Sequence, residues 1–206
     1  MTNKHNYKYK RDRTLLQNTF GIHKSSFNKK KYKPGMHKST RSYETFYGKL
    51  LNQRQKLKAF YVNLKNKQLK TLIRKSIKHL DYKKRITQNL ETRIDTLLFR
   101  SGLVTSFNAA RQMINHKHVK QNNIYIRSPS YKIVTKDPIE FSSNGQKIIN
   151  NNNGKIGRSA PSYIYIKKDN NKTSVVIDTD NIPTKESLLR FATKISIDQV
   201  ISSYRI

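Results

Sequence analysis

His116 and His118 stand two residues apart with Lys117 between them. Imidazoles at that spacing could hold a metal ion, but no Cys, Asp or Glu lies close by in the sequence to complete a ligand set. The chain has no cysteine, which excludes disulfides, thiolate zinc sites and cysteine nucleophiles. Its only glutamates are Glu44, Glu91, Glu140 and Glu186. They are scattered, whereas hydrolytic or metal-assisted chemistry gathers carboxylates beside other titratable groups. Gly154-Lys155 is followed by Ile156, not by the Ser or Thr of a phosphate loop. No serine occupies a Gly-x-Ser-x-Gly turn. The sequence therefore predicts no enzyme, no cofactor, no metal and no small-molecule substrate.

The chemistry that remains is that of positive charge. Lys+Arg number 43 against 12 Asp+Glu, a formal net charge of +31. Such a charge opposes compaction unless a polyanion neutralises it. Residues 1–90 hold 25 of the cations and three acids, Asp12, Glu44 and Asp81; residues 91–206 hold 18 cations and nine acids. Lys and Arg side chains suit phosphate oxygens, Arg with a planar pair of donors. In the first half the candidates for nucleic-acid contact are Lys29, Lys30, Lys31, His37, Arg54 and Lys56. No run of about 18 apolar residues exists, so no membrane-spanning helix is expected. A membrane-surface helix is disfavoured by a narrow apolar stripe and the absence of Trp. Lys, Asn and Ile number 30, 20 and 21, while Ala numbers 5, a usage that fits an A/T-rich genome.

These side chains need elements to hold them. Residues 1–41 lack apolar periodicity and contain the Pro34-Gly35 turn, so a basic, irregular extension is expected. From 42 to 80 the spacing is helical: Tyr43, Tyr47, Leu50, Leu57, Tyr61 and Leu64, then Leu69, Leu72, Ile73, Ile77 and Leu80. Arg93 to Ser101 reads as a helix closed by Gly102. Ser106 reads as the N-cap of a second, Phe107 to His116. Ile94, Leu97, Leu98, Phe107, Ala110, Met113 and Ile114 form their buried side. The opposite side is expected to expose Arg93, Arg100, Arg111, His116, Lys117 and His118 for contact with a polyanion, and a helix–turn–helix of this kind could by itself read DNA. The competing role for Arg93 is an ion pair with Asp95 or Glu91, and for Arg111 a solvated helix position. Val119 to Ile126 reads as a hairpin turning at Gln121-Asn122-Asn123, with further β-structure from Ser130 to Phe141, at 163–166 and at 175–177. The Asn-rich stretch 144–154 reads as a flexible insertion.

Arg93-Ile94-Asp95, Gly102, Ala110-Arg111-Gln112-Met113-Ile114 and Val119 follow the order and spacing of the S-four RNA-binding domain, which this stretch resembles. His116-Lys117-His118 is similar to the His-Gly-His of that family's ribosomal branch, and Pro129-Ser130-Tyr131 to the Pro-Ser-Tyr that follows it. Outside the domain, Pro34-Gly35-Met36-His37 and the run Tyr47-Gly48, Leu51, Gln55-Lys56 and Tyr61 resemble small-subunit ribosomal protein S-four. Pseudouridine synthases and tyrosyl-tRNA synthetases carry only the generic domain, so the N-terminal match argues against them. Departures are Lys117 for the Gly of His-Gly-His, Asn123 for the Gly that ends the family's turn, and Phe107 where Arg is frequent.

The resemblance implies an α+β fold: an N-terminal helical region around an inserted S-four domain of two short helices on a small β-hairpin or sheet. The expected division is an extension at 1–41, helices at 42–90, the S-four domain at 91–143, the insertion at 144–158, and C-terminal strands and a helix at 159–206 packing back on the helices. The implied function is binding of small-subunit ribosomal RNA in early subunit assembly. The resemblance also implies a position along the channel where messenger RNA enters and contact with the neighbouring S-five protein. The alternatives are an RNA-modifying enzyme with an S-four domain and a free-standing RNA-binding regulator. The A/T-rich usage favours a mitochondrial ribosome over a plastid or bacterial one.

Overall fold

The computed structural model describes residues 10–18, 26–35, 43–61, 64–152, 159–169, 172–179, 181–182 and 195–205. They fall into two units, 1–78 with 188–206, and 79–187.

In the first unit the stretch expected to be irregular contains two short helices, α1 (Lys10–Thr14) and α2 (Ser26–Lys29). Arg13 links the first to the chain beyond the second. Its Nε donates to the Tyr32 carbonyl and its Nη2 to the Lys33 carbonyl, each at 3.2 Å, and its guanidinium lies 4.8 Å from the Tyr32 ring centroid. The helical stretch expected over 42–80 is two helices, α3 (Phe46–Phe60) and α4 (Asn66–Ser76). Thr45 starts α3: its Oγ1 accepts the Gly48 N–H at 3.1 Å, which satisfies one of the free donors of the first turn. A Cβ at Gly48 would lie 3.1 Å from that same oxygen, a tight contact with the Thr45 side chain. Leu50, Leu57, Ala59 and Phe60 are buried. The C-terminal helix packs against α3.

In the second unit α5 (Tyr82–Glu91), α6 (Ile94–Arg100) and α7 (Phe107–Asn115) are followed by strands β1 (Val119–Gln121), β2 (Ile124–Tyr125) and β3 (Ile139–Phe141). Helix α8 (Ser143–Asn152) and strands β4 (Ile164–Asp169) and β5 (Lys172–Ile177) complete it. The last helix of the chain, α9 (Ile197–Arg205), belongs to the first unit. The sheet is antiparallel throughout, in the order β2-β1-β3-β5-β4. All seven apolar residues predicted for the helix pair are buried, and Phe99 stacks on Phe107 at 4.1 Å between centroids.

One expectation, a flexible Asn-rich insertion, is corrected. Helix α5 falls in the second unit, where its Ile86 and Leu90 are buried. β5 pairs with β3, Ile139 opposite Val175, because its alternate residues Thr173, Val175 and Ile177 are apolar or small enough to enter the sheet's core. The Asn-rich stretch is helical through Asn152. Ile149 is fully buried, and Gln146 receives the Thr173 N–H at 3.1 Å while its Nε2 donates to the Thr173 carbonyl at 3.0 Å. Residues 153–158 lie outside the described residues.

Candidate nucleic-acid interface

The arginines of the helix pair do not face outward. Arg93 is 7% exposed and Arg100 4%. Arg93 forms a fork with Asp95, Nε to Oδ1 at 3.0 Å and Nη2 to Oδ2 at 2.8 Å. Arg111 reaches the same Oδ2 from α7, with Nε at 3.1 Å and Nη2 at 2.8 Å. One carboxylate therefore pairs with two guanidiniums, which leaves the cluster a net charge of +1, and its Oδ1 also accepts the Thr96 N–H at 2.9 Å. Arg100 forks onto Glu91, Nε to Oε2 at 3.2 Å and Nη2 to Oε1 at 3.1 Å, and the Tyr163 hydroxyl donates to that Oε2 at 3.0 Å. Buried charges persist only when paired and hydrogen-bonded. Arg93 and Arg100 are thus paired inside the unit, which corrects the expectation that they lie on an exposed face. Arg111, paired and only partly exposed, joins the two helices.

The segment after the hairpin is used to start α6. The Ile94 N–H donates to the Tyr131 carbonyl at 2.9 Å and the Asp95 N–H to the Pro129 carbonyl at 3.3 Å. This is the work of Pro129-Ser130-Tyr131: its carbonyls meet helix N–H groups that lack an intrahelical partner. It also explains why the β-structure expected over 130–141 is confined to β3 and to a single bridge between Arg93 and Lys132.

His116 and Lys117 are exposed, and His118 is partly buried. His118 Nδ1 lies 3.1 Å from the Ser142 Oγ, which also receives the Gly145 N–H at 3.3 Å and so caps α8. The His rings are 6.0 Å apart, and no group of three metal-ligating side chains exists among the described residues. Lys117 has φ +59°, where the family pattern has Gly. Asn122 and Asn123 both have positive φ, 49° and 63°, the primed turn that joins two strands closely. Asn122 Nδ2 donates to Asp137 at 3.0 Å. Hydrogen bonds from Thr135 and then Asn122 hold the Asp137 carboxyl below its ordinary value. Around this turn Lys117, Ile124, Tyr125 and Arg127 are exposed, and the Lys120 ammonium sits 4.5 Å from the Tyr125 ring centroid.

In the first unit Lys29, Lys30 and Lys31 are exposed and Lys56 is partly so; His37 lies outside the described residues. Arg54 is occupied with the C-terminal helix. Its Nη1 donates to the Ser203 carbonyl at 3.4 Å and its guanidinium lies 5.1 Å from the Tyr204 ring. Burial raises the Tyr204 phenol above its ordinary value, and the Arg54 charge opposes the shift.

Helix α4 carries cations that were not among the site residues expected. Leu69, Ile73 and Ser76 point inward, and Lys67, Lys70, Arg74 and Lys75 are exposed. The three-and-four spacing of Lys67, Lys70 and Arg74 places them in one row, followed by exposed Lys78. The signal was legible as the complement of the Leu69–Ile73 stripe. In the second unit Lys83, Lys84 and Arg85 are exposed in the first turn of α5, where the helix dipole disfavours cations.

The chain matches two family models: "Ribosomal protein S4/S9 N-terminal domain" over residues 3–98 and "S4 domain" over residues 92–139. It is 36% identical to the small ribosomal subunit protein uS4 of Nitrobacter hamburgensis over 72% of this chain and 73% of that one. To the uS4 protein of Nitrobacter winogradskyi it is 34% identical over 84% of this chain and 86% of that one. The counterpart in Rhodospirillum centenum is 35% identical over 71% of this chain and 72% of its own length. With both family models matched in order and relatives matched over most of their length, the chain belongs to the uS4 family of small-subunit ribosomal proteins, structural rRNA-binding constituents of the ribosome and not enzymes.

Proposed function

We propose that this chain binds small-subunit ribosomal RNA through the exposed cations of each unit: the α4 row, the first turn of α5, and the hairpin region at Lys117, Lys120 and Arg127. The observation that carries this reading is that, among the described residues, no acidic side chain pairs with Lys67, Lys70, Arg74 or Lys75 of α4. Between Lys29 and Lys78 the only acid is Glu44, and it accepts a hydrogen bond from Asn52 Nδ2 at 2.7 Å. Phosphates supply the missing negative charge, and a folded RNA is met largely through its shape and backbone.

The finer roles carried by the family are part of the same proposal: early action in small-subunit assembly, a place along the messenger-RNA channel, and contact with the S-five protein. The compartment proposed is the mitochondrion, on the Lys, Asn and Ile usage of the chain; the relatives named above are bacterial.

The test is a salt series on small-subunit RNA with the unaltered chain and Lys70→Glu/Arg74→Glu. Each phosphate contact contributes about −0.7 to −0.9 to the log–log salt slope. The expected result is a steep slope that the double variant makes shallower by more than one contact, with melting changed by no more than about 0.5 kcal/mol. A slope near zero for the unaltered chain would overturn the reading. Co-sedimentation with small subunits from isolated mitochondria checks the compartment; recovery only outside them removes it.

A further inference from the structure

We propose that Tyr43, Phe46 and Tyr47, at the start of α3, form a stacking platform for unpaired bases of the bound RNA. The proposal rests on the RNA-binding reading above and adds a residue-level contact to it. The three rings are 100%, 72% and 51% exposed. The same helix buries Leu50, Leu57 and Phe60 to 3% exposure or less. Thus α3 sends its aliphatic side chains inward near its start and leaves aromatic ones in water. Water contact is unfavourable for large rings, and three exposed rings within five residues call for a partner.

The occupant follows from charge and ring chemistry. The patch lies in the half of the chain that holds 25 cations against three acids, and Lys49 is exposed one turn further along α3. Glu44, the acid within the patch, is engaged by Asn52 at 2.7 Å. Exposed aromatic rings within a basic surface bind single-stranded nucleic acid: cations follow the backbone, and bases stack on the rings without sequence preference. A duplex keeps its bases stacked on one another and offers the rings nothing.

The N-cap lies within the platform: the Gly48 N–H donates to the Thr45 Oγ1 at 3.1 Å, between Tyr43 and Phe46.

The experiment uses the full chain and three probes: small-subunit RNA, an unpaired oligoadenylate, and a blunt RNA duplex. The variants are Tyr43→Ala/Phe46→Ala and Phe46→Leu. The double variant is expected to lose at least about fivefold in affinity for the first two probes, the lower range for one stacked base. The salt slope and duplex binding should not change, and neither should the melting temperature. Phe46→Leu should stay weaker than the unaltered chain, since leucine has apolar area but no π face. Unchanged oligoadenylate and small-subunit RNA binding overturns the platform, as does full affinity in Phe46→Leu, which would show that no π face is needed at this position. Failure of the unaltered chain to bind small-subunit RNA removes the RNA reading itself; normal binding by both chains removes only the platform.

Discussion

Asp95 and Arg111, sixteen residues apart in the chain, are joined by two hydrogen bonds to one oxygen, at 3.1 and 2.8 Å. The Asp95 side chain is 2% exposed and that of Arg111 18%. Because Asp95 also holds Arg93, this one carboxylate ties α6, α7 and the start of the Arg93–Lys132 bridge into a single unit.

Asp95→Ala is therefore the more damaging of two substitutions. It leaves two guanidiniums without their counter-ion and should cost about 3–5 kcal/mol in chemical denaturation, the range for breaking a buried pair. Arg111→Ala leaves Asp95 paired with Arg93 and should cost about 1–3 kcal/mol, as for a charge-assisted hydrogen bond. The sequence predicts the opposite emphasis for Arg111, with RNA affinity affected more than folding. If Arg111→Ala melts like the unaltered chain yet binds RNA poorly, the packing role assigned from the geometry is wrong.

Lys117 occupies a backbone conformation with φ +59°. A residue with a Cβ pays about 1–2 kcal/mol in that region, while Gly brings a larger unfolded-state entropy. Lys117→Gly should on balance raise stability by up to about 1 kcal/mol, read from the denaturation midpoint. The same substitution removes an exposed cation, so RNA affinity should fall as stability rises. A loss of stability would show that the Lys117 side chain makes a contact worth more than the strain.

Helix α8 gives a third expectation. Its Gln146 makes two hydrogen bonds to the backbone of Thr173, and Ile149 is fully buried. Ile149→Ala should cost about 2–5 kcal/mol. Gly145→Ala should also destabilise, because its Cβ would lie 3.0 Å from the His118 carbonyl oxygen. The contrary expectation, a dispensable Asn-rich loop, predicts no effect of either substitution on thermal melting.

The sequence by itself determined the helix pair, its caps and its turn. Ser106 caps α7 with its Oγ on the Ala109 N–H at 3.2 Å, Gly102 has φ +74°, and the two asparagines take the left-handed turn. These are local facts, fixed by side-chain chemistry within a few residues and by a periodicity that marks the buried side. The net charge and its concentration in residues 1–90 were equally legible, because charge is additive along the chain. What the tertiary structure alone decided was the fate of individual polar groups. Arg93, Arg100 and Arg111 read as an exposed basic set, yet Asp95 and Glu91 pair with them, so that Arg93 and Arg100 are buried and Arg111 is only partly exposed. Likewise Asn144 to Asn152 reads as a solvated tract until Thr173 and His118 close over it. The reason is that a buried charge or amide is stable only beside a specific partner. Tyr163 lies 72 residues from Glu91 and Thr173 lies 27 from Gln146, so no local pattern in the sequence announces either pair.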